Sequence, residues 1–545
     1  MAIQGYLSLV LHAHLPFVRH PEYPDFLEED WLYEAMTETY IPLLQMMERL
    51  WVDGVDFRIT MSLTPPLCEM LADPLLQERY IARLDSLLEL ALAQAEARAG
   101  TDFEEVATYT VHELTEVRRL FVEVWGRELL PVFRSFQDRG RLQIVTCGAT
   151  HGILPLMATD EARHAQIEIA CRSYERHFGR RPEGIWLGEC AYAPGLERLL
   201  DAAGIKFFFL ETHGLTRGEP PARLGTARPV LTPSGVAAFG RDQECSQQVW
   251  SADAGYPGDP AYREFYRDLG YDLPYDEVRP YLHGDGVRRN IGVKFHRITG
   301  RVGLHEKKPY SPSAARERAA QHAEHFLSCR RAQVSYLKRT TGVTPHLTAP
   351  YDAELYGHWW YEGPIFLEML LRKIACDQDE VALITPGEYL RTERDHQEIT
   401  PSLSTWGANG YFKVWLNDQN DWIYRHLHRA EERMIELTGR FPLPSPLERR
   451  ALNQAARELL LAQSSDWAFI VTMDTAVEYA EKRTRDHIAR FTRLYDQLLV
   501  GVIDEPWLSE MEARDNCFAE IDHRVYRPDA LPARGGGAVF TITPS

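Results

Sequence analysis

Apolar residues in the first two thirds of the chain gather in short unbroken runs rather than in alternation. The runs are Tyr6–His12, Phe57–Leu63, Leu142–Cys147, Gly184–Glu189, Ile205–Leu210, Val236–Phe239, His346–Ala349 and Val381–Ile384. Runs of this length, bounded by glycine, proline or polar clusters, suit parallel strands buried on both faces. Helix-period stretches such as Asp160–Phe178 and Pro194–Ala203 lie between several of them. Strand and helix alternating over this length predict an α/β barrel or a doubly wound sheet. The segment 75–140, rich in Leu, Ala, Glu and Arg, breaks the alternation and reads as a helical insertion after the second strand; Ser313–Thr341 reads as a further helix. From about Asp421 the pattern is helical almost throughout (Arg425–Gly439, Pro446–Gln463, Thr475–Leu499). The expected organisation is therefore a catalytic barrel over 1–400, a C-terminal helical domain over 401–525, and an unordered tail over 526–545 marked by Pro-Asp, Gly-Gly-Gly and Thr-Pro-Ser.

Composition narrows the partners. The chain has 545 residues with 45% hydrophobic and 26% charged positions, ordinary for a globular protein of more than one domain. Sixty Lys+Arg against 79 Asp+Glu give a net charge of −19, and Lys307-Lys308 and Arg330-Arg331 are too short to make a basic patch, so nucleic acid is a poor partner. No apolar run approaches the ~20 residues of a membrane helix. His12 and His14 interrupt the first run and Met1–Gly5 carries no positive charge, which argues against a signal peptide. Eight cysteines, none in a CxxC pair, fit a reducing cytoplasm rather than a disulfide scaffold or zinc ribbon.

In an α/β barrel the reactive groups come from the C-terminal ends of strands. The polar residues that end the apolar runs here are His12 and His14, His151, Glu189 and Asp352. Two carboxylates facing each other across a sugar are the minimum equipment for glycosidic cleavage, and Glu189 and Asp352 are the natural pair. Each could instead be a solvated loop acid, and Asp352 could cap a following helix. His12 and His14, two apart on a strand, point to one face. That HxH suits a metal completed by His151 and Asp352, hydrogen bonding to sugar hydroxyls, or a core satisfied by backbone. Spacing leaves all three open. Aromatic crowding over Tyr351–Phe366, with Trp359-Trp360-Tyr361, and around Trp406, Trp415 and Trp467 suits the apolar faces of pyranose rings. Trp406 and Trp415, flanking a glycine-containing segment, rank above Trp359.

His12-Ala-His14-Leu-Pro16-Phe, Gly148-Ala-Thr-His151-Gly, Trp186-Leu-Gly-Glu189-Cys-Ala-Tyr and Ala349-Pro-Tyr-Asp352-Ala-Glu-Leu-Tyr-Gly-His resemble, in this order, the motifs of glycoside hydrolase family 57. Ser404-Thr-Trp406-Gly and Gln463-Ser-Ser-Asp466-Trp467 resemble later motifs of its 1,4-α-glucan branching enzymes, so that the likeness spans about residues 5–525. The resemblance implies an incomplete (β/α)7 barrel with a helical insertion and a C-terminal all-α domain closing over the cleft. It implies a retaining double displacement without metal or cofactor, with Glu189 as nucleophile and Asp352 as general acid/base. It implies an α-1,4-glucan such as amylose, glycogen or starch as partner, and a monomer or weak homo-oligomer. His12, His14, His151, Trp31, Trp186, Arg263, Trp406, Trp415, Asp466 and Trp467 are the substrate-binding candidates. Attack on the glucosyl ester by water would make an amylase, and by a glucan 6-hydroxyl a branching enzyme; a 4-α-glucanotransferase or a metal-dependent hydrolase is the alternative. Thr232–Asp242 is similar to a family loop that folds over the cleft and carries a tyrosine in efficient branching members. No tyrosine lies between Gly214 and Trp250 here, which leaves room for weak branching with appreciable hydrolysis.

Overall fold

A computed structural model describes residues 3–250 and 255–532. Nine strands form one curled sheet: β1 (Gly5–Ala13), β2 (Ile59–Leu63), β3 (Leu142–Cys147), β4 (Gly184–Trp186), β5 (Phe207–Leu210), β6 (Val230–Leu231), β7 (Ala237–Gly240), β8 (His346–Asp352) and β9 (Val381–Leu383). The eight apolar runs each hold one strand. The strand missed by the pattern is β6, whose two residues pair antiparallel with β7 and are too few to show a period. The order is β6-β7-β5-β4-β3-β2-β1-β8, with β9 alongside the start of β1.

Eight of these strands, all but β6, run parallel and curl into an incomplete barrel. Its two ends are joined where Arg241, just after β7, bridges Thr348 of β8 and the Asp242 N–H donates to the Thr348 carbonyl over 2.8 Å. Side chains alternate between two cores, as the pleat requires. Phe207 and Phe209 of β5 point into the barrel with Val10, Val145, Trp186 and Phe239, while Phe208 and Leu210 point out toward the helices.

The stretch after β2 is helical, with Pro74–Ala97 and Glu104–Arg119 followed by Leu129–Asp138 leading into β3. Asp73 starts the first of these by accepting from the backbone N–H groups of Leu75 and Leu76 over 3.0 and 3.2 Å. The C-terminal part consists of helices Asp421–Arg440, Pro446–Ala462, Ser465–Met473, Val477–Val500 and Glu505–Arg514. Pro446–Ala462 is buried on nearly all sides from Ala451 onward, as the central helix of that layer. The first residues of the expected 526–545 tail are placed: Tyr526 is fully buried and Pro528–Ala530 form a 3-10 turn. Residues 533–545 lie outside the described residues.

Strand direction corrects one expectation. The turn at Thr232–Val236 joins antiparallel β6 to β7, with the Thr232 N–H donating to the Val236 carbonyl over 2.9 Å. It therefore sits at the N-terminal end of β7, opposite the rim that carries Glu189 and Asp352, and cannot fold over a cleft there. The connection that leaves that rim after β5, from Glu211 to Pro229, also has no tyrosine.

Candidate active site

Two turns after β3 and β4 carry His151 and Glu189 in a backbone conformation that side-chain-bearing residues seldom adopt. φ is +58° at His151, +60° at Glu189 and +50° at Cys190. Non-glycine residues in this region cost of order 1–3 kcal/mol and persist only where the surroundings hold them. Here the two turns lock together through Gly188. A Cβ at that position would lie 2.7 Å from the His151 carbonyl oxygen and 2.9 Å from that of Gly152.

The C-terminal third reaches these turns by two antiparallel bridges. Tyr192 pairs with Ser404, and Gly152 pairs with Ser464. The first lays Trp406 against Glu189: its indole N–H donates to Glu189 Oε2 over 2.8 Å, and its backbone N–H to the Glu189 carbonyl over 3.1 Å. The second delivers Ser465 and Asp466. Ser465 Oγ donates to Glu189 Oε1 over 3.3 Å, and both Asp466 oxygens lie 3.0 Å from His14 Nε2.

The three histidines form a stack rather than a set of free donors. His14 lies 3.9 Å from His151 between ring centroids at 13°, and His12 lies 4.5 Å from the Trp186 ring at 13°. All six imidazole nitrogens have protein partners: His12 has Ser62 and His151, His14 has Thr64 and Asp466, and His151 has His12 and Ser465. Glu354, two residues after Asp352, accepts from the His14 backbone N–H over 3.3 Å and from the Tyr40 hydroxyl.

Charge states follow from these surroundings. Burial pushes the Glu189 carboxyl up to about 7; Asp466 adds to this, while Trp406, His14 and Ser465 oppose it. Burial likewise raises Asp352 well above the carboxylate range, with Glu354 and Glu189 repelling its charge and Arg241 opposing them. Burial alone would raise Asp466 too, but the His14 charge and hydrogen bond outweigh it and hold Asp466 near about 2. His14 is raised in turn, Asp466 overcoming burial, so the two form an ion pair. Burial followed by repulsion from neighbouring imidazoles keeps His12 and His151 neutral. The site thus holds one carboxyl with two hydrogen-bond donors on it and another poised to carry a proton.

A family model described as glycosyl hydrolase family 57 matches residues 8–402, well over half the chain. The chain belongs to glycosyl hydrolase family 57. A second model, described as the C-terminal region of 1,4-alpha-glucan branching enzyme, matches residues 426–526 of this family 57 chain. A 1,4-alpha-glucan branching enzyme of Thermococcus kodakarensis is 35% identical over 95% of this chain and 78% of its own length. Among solved structures, an alpha-amylase, AmyC, from Thermotoga maritima superposes with a TM-score of 0.90 at 45% identity, covering 96% of this chain and 99% of that one. A family 57 branching enzyme from Pyrococcus horikoshii superposes at 0.87 and 33% identity, covering 99% of each chain.

Of the sequence candidates in this family 57 chain, the structure brings His12, His14, His151, Glu189, Trp406 and Asp466 into one contiguous cluster, with Asp352 beside His12 in the β1–β8 register. It does not bring the others there as exposed platforms. Trp415 is 1% exposed in the core under Gly407, and Trp467 is buried with its indole N–H donated to the Leu461 carbonyl over 2.8 Å. Trp186 is fully buried beneath His12, where it supports the histidine stack instead of touching a ligand. Half-buried Trp31 packs edge-on to Tyr479 at 5.9 Å. Arg263 pairs with Glu38 at 2.5 Å and lies over the Tyr361 ring at 3.7 Å, lining a separate cavity of about 320 Å³ with Tyr109, Glu113 and Lys294.

Sequence reasoning missed Ser465, Glu354 and Arg241 as members of the site, although all three lie inside stretches it quoted. The donor set for a metal also differs from the expected one: His14, His151 and Asp466 offer atoms within 4.8 Å of one another, and Asp352 is not among them. A second such group, Glu458, His487 and Asp515, is buried, with Arg490 2.7 Å from Asp515.

Proposed function

We propose that the chain is a 1,4-α-glucan branching enzyme working by retaining double displacement. The observation that carries this is the unlike pair at the strand ends: Glu189 is held by donors on both oxygens, while burial, with the neighbouring negative charges adding to it, keeps Asp352 protonated. Protonated Asp352 gives its proton to the glycosidic oxygen as Glu189 attacks the anomeric carbon, and the glucosyl–Glu189 ester forms. Asp352, now ionised, takes the proton from an incoming glucan 6-hydroxyl, which attacks the ester and leaves an α-1,6 branch. The relatives named as branching enzymes and the match to the branching-enzyme C-terminal region support this acceptor. The donor and acceptor are amylose, starch or glycogen-type chains. Eight unpaired cysteines among the described residues, and no described helix long and apolar enough to cross a membrane, are compatible with work in the cytoplasm.

A second reading has its own support. The solved structure that is 45% identical is that of an alpha-amylase, and no tyrosine stands in the connection leaving the rim after β5. On that reading water takes the place of the 6-hydroxyl. Incubation with linear amylose separates the two, with reducing ends and α-1,6 proton signals followed together and Glu189→Gln as control. New 1,6 signals without matching reducing ends establish transfer, and reducing ends alone establish the amylase. A Glu189→Gln chain as active as the parent removes Glu189 from the chemistry.

A further inference from the structure

Hydrogen bonds run in line from β2 to the Glu189 carboxylate. Ser62 Oγ lies 3.1 Å from His12 Nδ1, and His12 Nε2 lies 2.9 Å from His151 Nε2. His151 Nδ1 lies 2.8 Å from Ser465 Oγ, which lies 3.3 Å from Glu189 Oε1. His151 itself is 3.7 Å from that carboxylate oxygen, too far for a direct bond, so the serine is the bridge.

Each member has one proton to give along the line, because a neutral imidazole carries one N–H and a hydroxyl one O–H. An ionised carboxylate can only accept. Its demand therefore fixes every proton upstream. Ser465 donates to Glu189 and must accept from His151 Nδ1–H. His151 Nε2 is then bare and accepts from His12 Nε2–H, and His12 Nδ1 is bare and accepts from the Ser62 hydroxyl. Burial keeps both imidazoles neutral, which the chain requires.

We propose that Ser465 is a positioning residue for Glu189, its proton aimed at Oε1 by a His12–His151 pair locked in unlike tautomers, Nε2–H on His12 and Nδ1–H on His151. The consequence for catalysis rests on Glu189 being the nucleophile; the tautomers do not. With the opposite tautomer His151 would accept from Ser465, the hydroxyl would turn away, and Glu189 would keep Trp406 as its side-chain donor. The other groups facing Glu189 are Asp466 from the C-terminal helices, His14 just after β1 and Asp352 from β8. None of these donates to Oε1.

The test is nitrogen NMR of the histidine-labelled full chain, with signals assigned by His12→Gln and His151→Gln. Above about pH 7, where Glu189 is ionised, His12 is expected as the Nε2–H tautomer and His151 as Nδ1–H; either one found in the other form overturns the proposal. In Ser465→Ala, kcat should fall about tenfold with KM little changed. The acidic limb of the rate profile should move to higher pH, because a donor that favours the ionised carboxylate is gone. Ser465→Thr should restore both. An unmoved limb in a folded Ser465→Ala chain overturns the proposal, and if that variant fails to fold, the native-chain tautomers decide. Full activity in Glu189→Gln would instead remove the nucleophile reading and leave the tautomers to be judged alone.

Discussion

Trp406 is tied to Glu189 twice, through its indole N–H to Oε2 at 2.8 Å and its backbone N–H to the Glu189 carbonyl at 3.1 Å. The ring also stands edge-on to Trp186 at 5.0 Å, with the Arg241 guanidinium 5.7 Å from it. One residue from the C-terminal third thus holds both the conformation and the charge of a strained residue on the barrel rim. Replacing Trp406 with Phe keeps a ring and removes the N–H. Hydrogen bonds to charged groups contribute about 1.5–3 kcal/mol, so kcat/KM on amylose should drop roughly tenfold to a hundredfold. Far-ultraviolet circular dichroism should be unchanged; activity equal to the parent would show that the bond does not matter to the reaction.

Charge states at the two carboxyls predict a bell-shaped dependence of kcat/KM on pH. Glu189 must be ionised to attack, and burial has pushed it up to about 7, so the rate should fall as pH drops through that value. Asp352 must begin protonated, and burial with its acidic neighbours has raised it well above its ordinary value, so the rate should fall again as pH rises through it. In Trp406→Phe the acidic limb should move upward, since the lost donor favours the ionised form. A profile flat below about 7 would contradict the assignment of Glu189.

The strands were legible because parallel strands buried on both faces leave unbroken apolar runs, and all eight runs contain one. The ends of those runs then pointed to His12, His14, His151, Glu189 and Asp352 without knowledge of the helices around them. Three things were hidden. Whether an aromatic is a platform or a core residue depends on what packs over it, and a glycine-containing segment gave no sign that Trp415 lies under Gly407. The end of the barrel that a turn occupies depends on strand direction, which placed Thr232–Val236 on the far side. The link from Ser465 to Glu189 spans 276 positions in sequence and is made by the Gly152–Ser464 bridge, which no local pattern shows.

Aromatic exposure reverses the ranking of Trp415 and Trp359 and leaves Trp406 where it stood. Trp359 is 44% exposed, with its ring 6.2 Å from that of Trp250, and both follow strands whose C-terminal ends form the active rim. Trp359→Ala should raise KM for long glucans about twofold to tenfold, in line with ~0.5–1.5 kcal/mol for an aromatic contact, and leave the fold intact. Trp415→Ala should instead cost about 3–5 kcal/mol of stability, as expected for emptying a core site. Thermal melting and amylose kinetics on the two variants check both halves; a destabilised Trp359→Ala or a fully stable Trp415→Ala would reverse the reading.

Metal dependence has a direct check. A metal at His14, His151 and Asp466 would have to break bonds those groups already make, including the 3.0 Å His14–Asp466 ion pair and the 2.8 Å His151–Ser465 bond. It would also have to displace the proton that Asp466 keeps on His14. Dialysis against chelator should therefore leave the rate on amylose within about twofold of the untreated chain, and added zinc should not raise it. Loss of activity restored by a stoichiometric metal would place the chemistry in the histidine cluster instead of the carboxyl pair.

Asp352 should cost the fold stability as the counterpart of its catalytic use. Its carboxyl has a higher pKa in the folded chain than in the unfolded one, with burial the main cause and Glu354 and Glu189 adding to it. The folded state then binds the proton more tightly, so its contribution to stability is fully present in acid and is lost as pH rises toward the raised folded value. Asp352→Asn removes the ionisable group while keeping its size. The variant should therefore melt a few degrees above the parent at neutral pH, and the gap should close in acid, where both states of the parent are protonated. Melting temperatures across pH for both chains test this. A variant that melts below the parent at every pH would mean that the Asp352 carboxyl makes a stabilising contact, and its place as the proton donor would have to be given up.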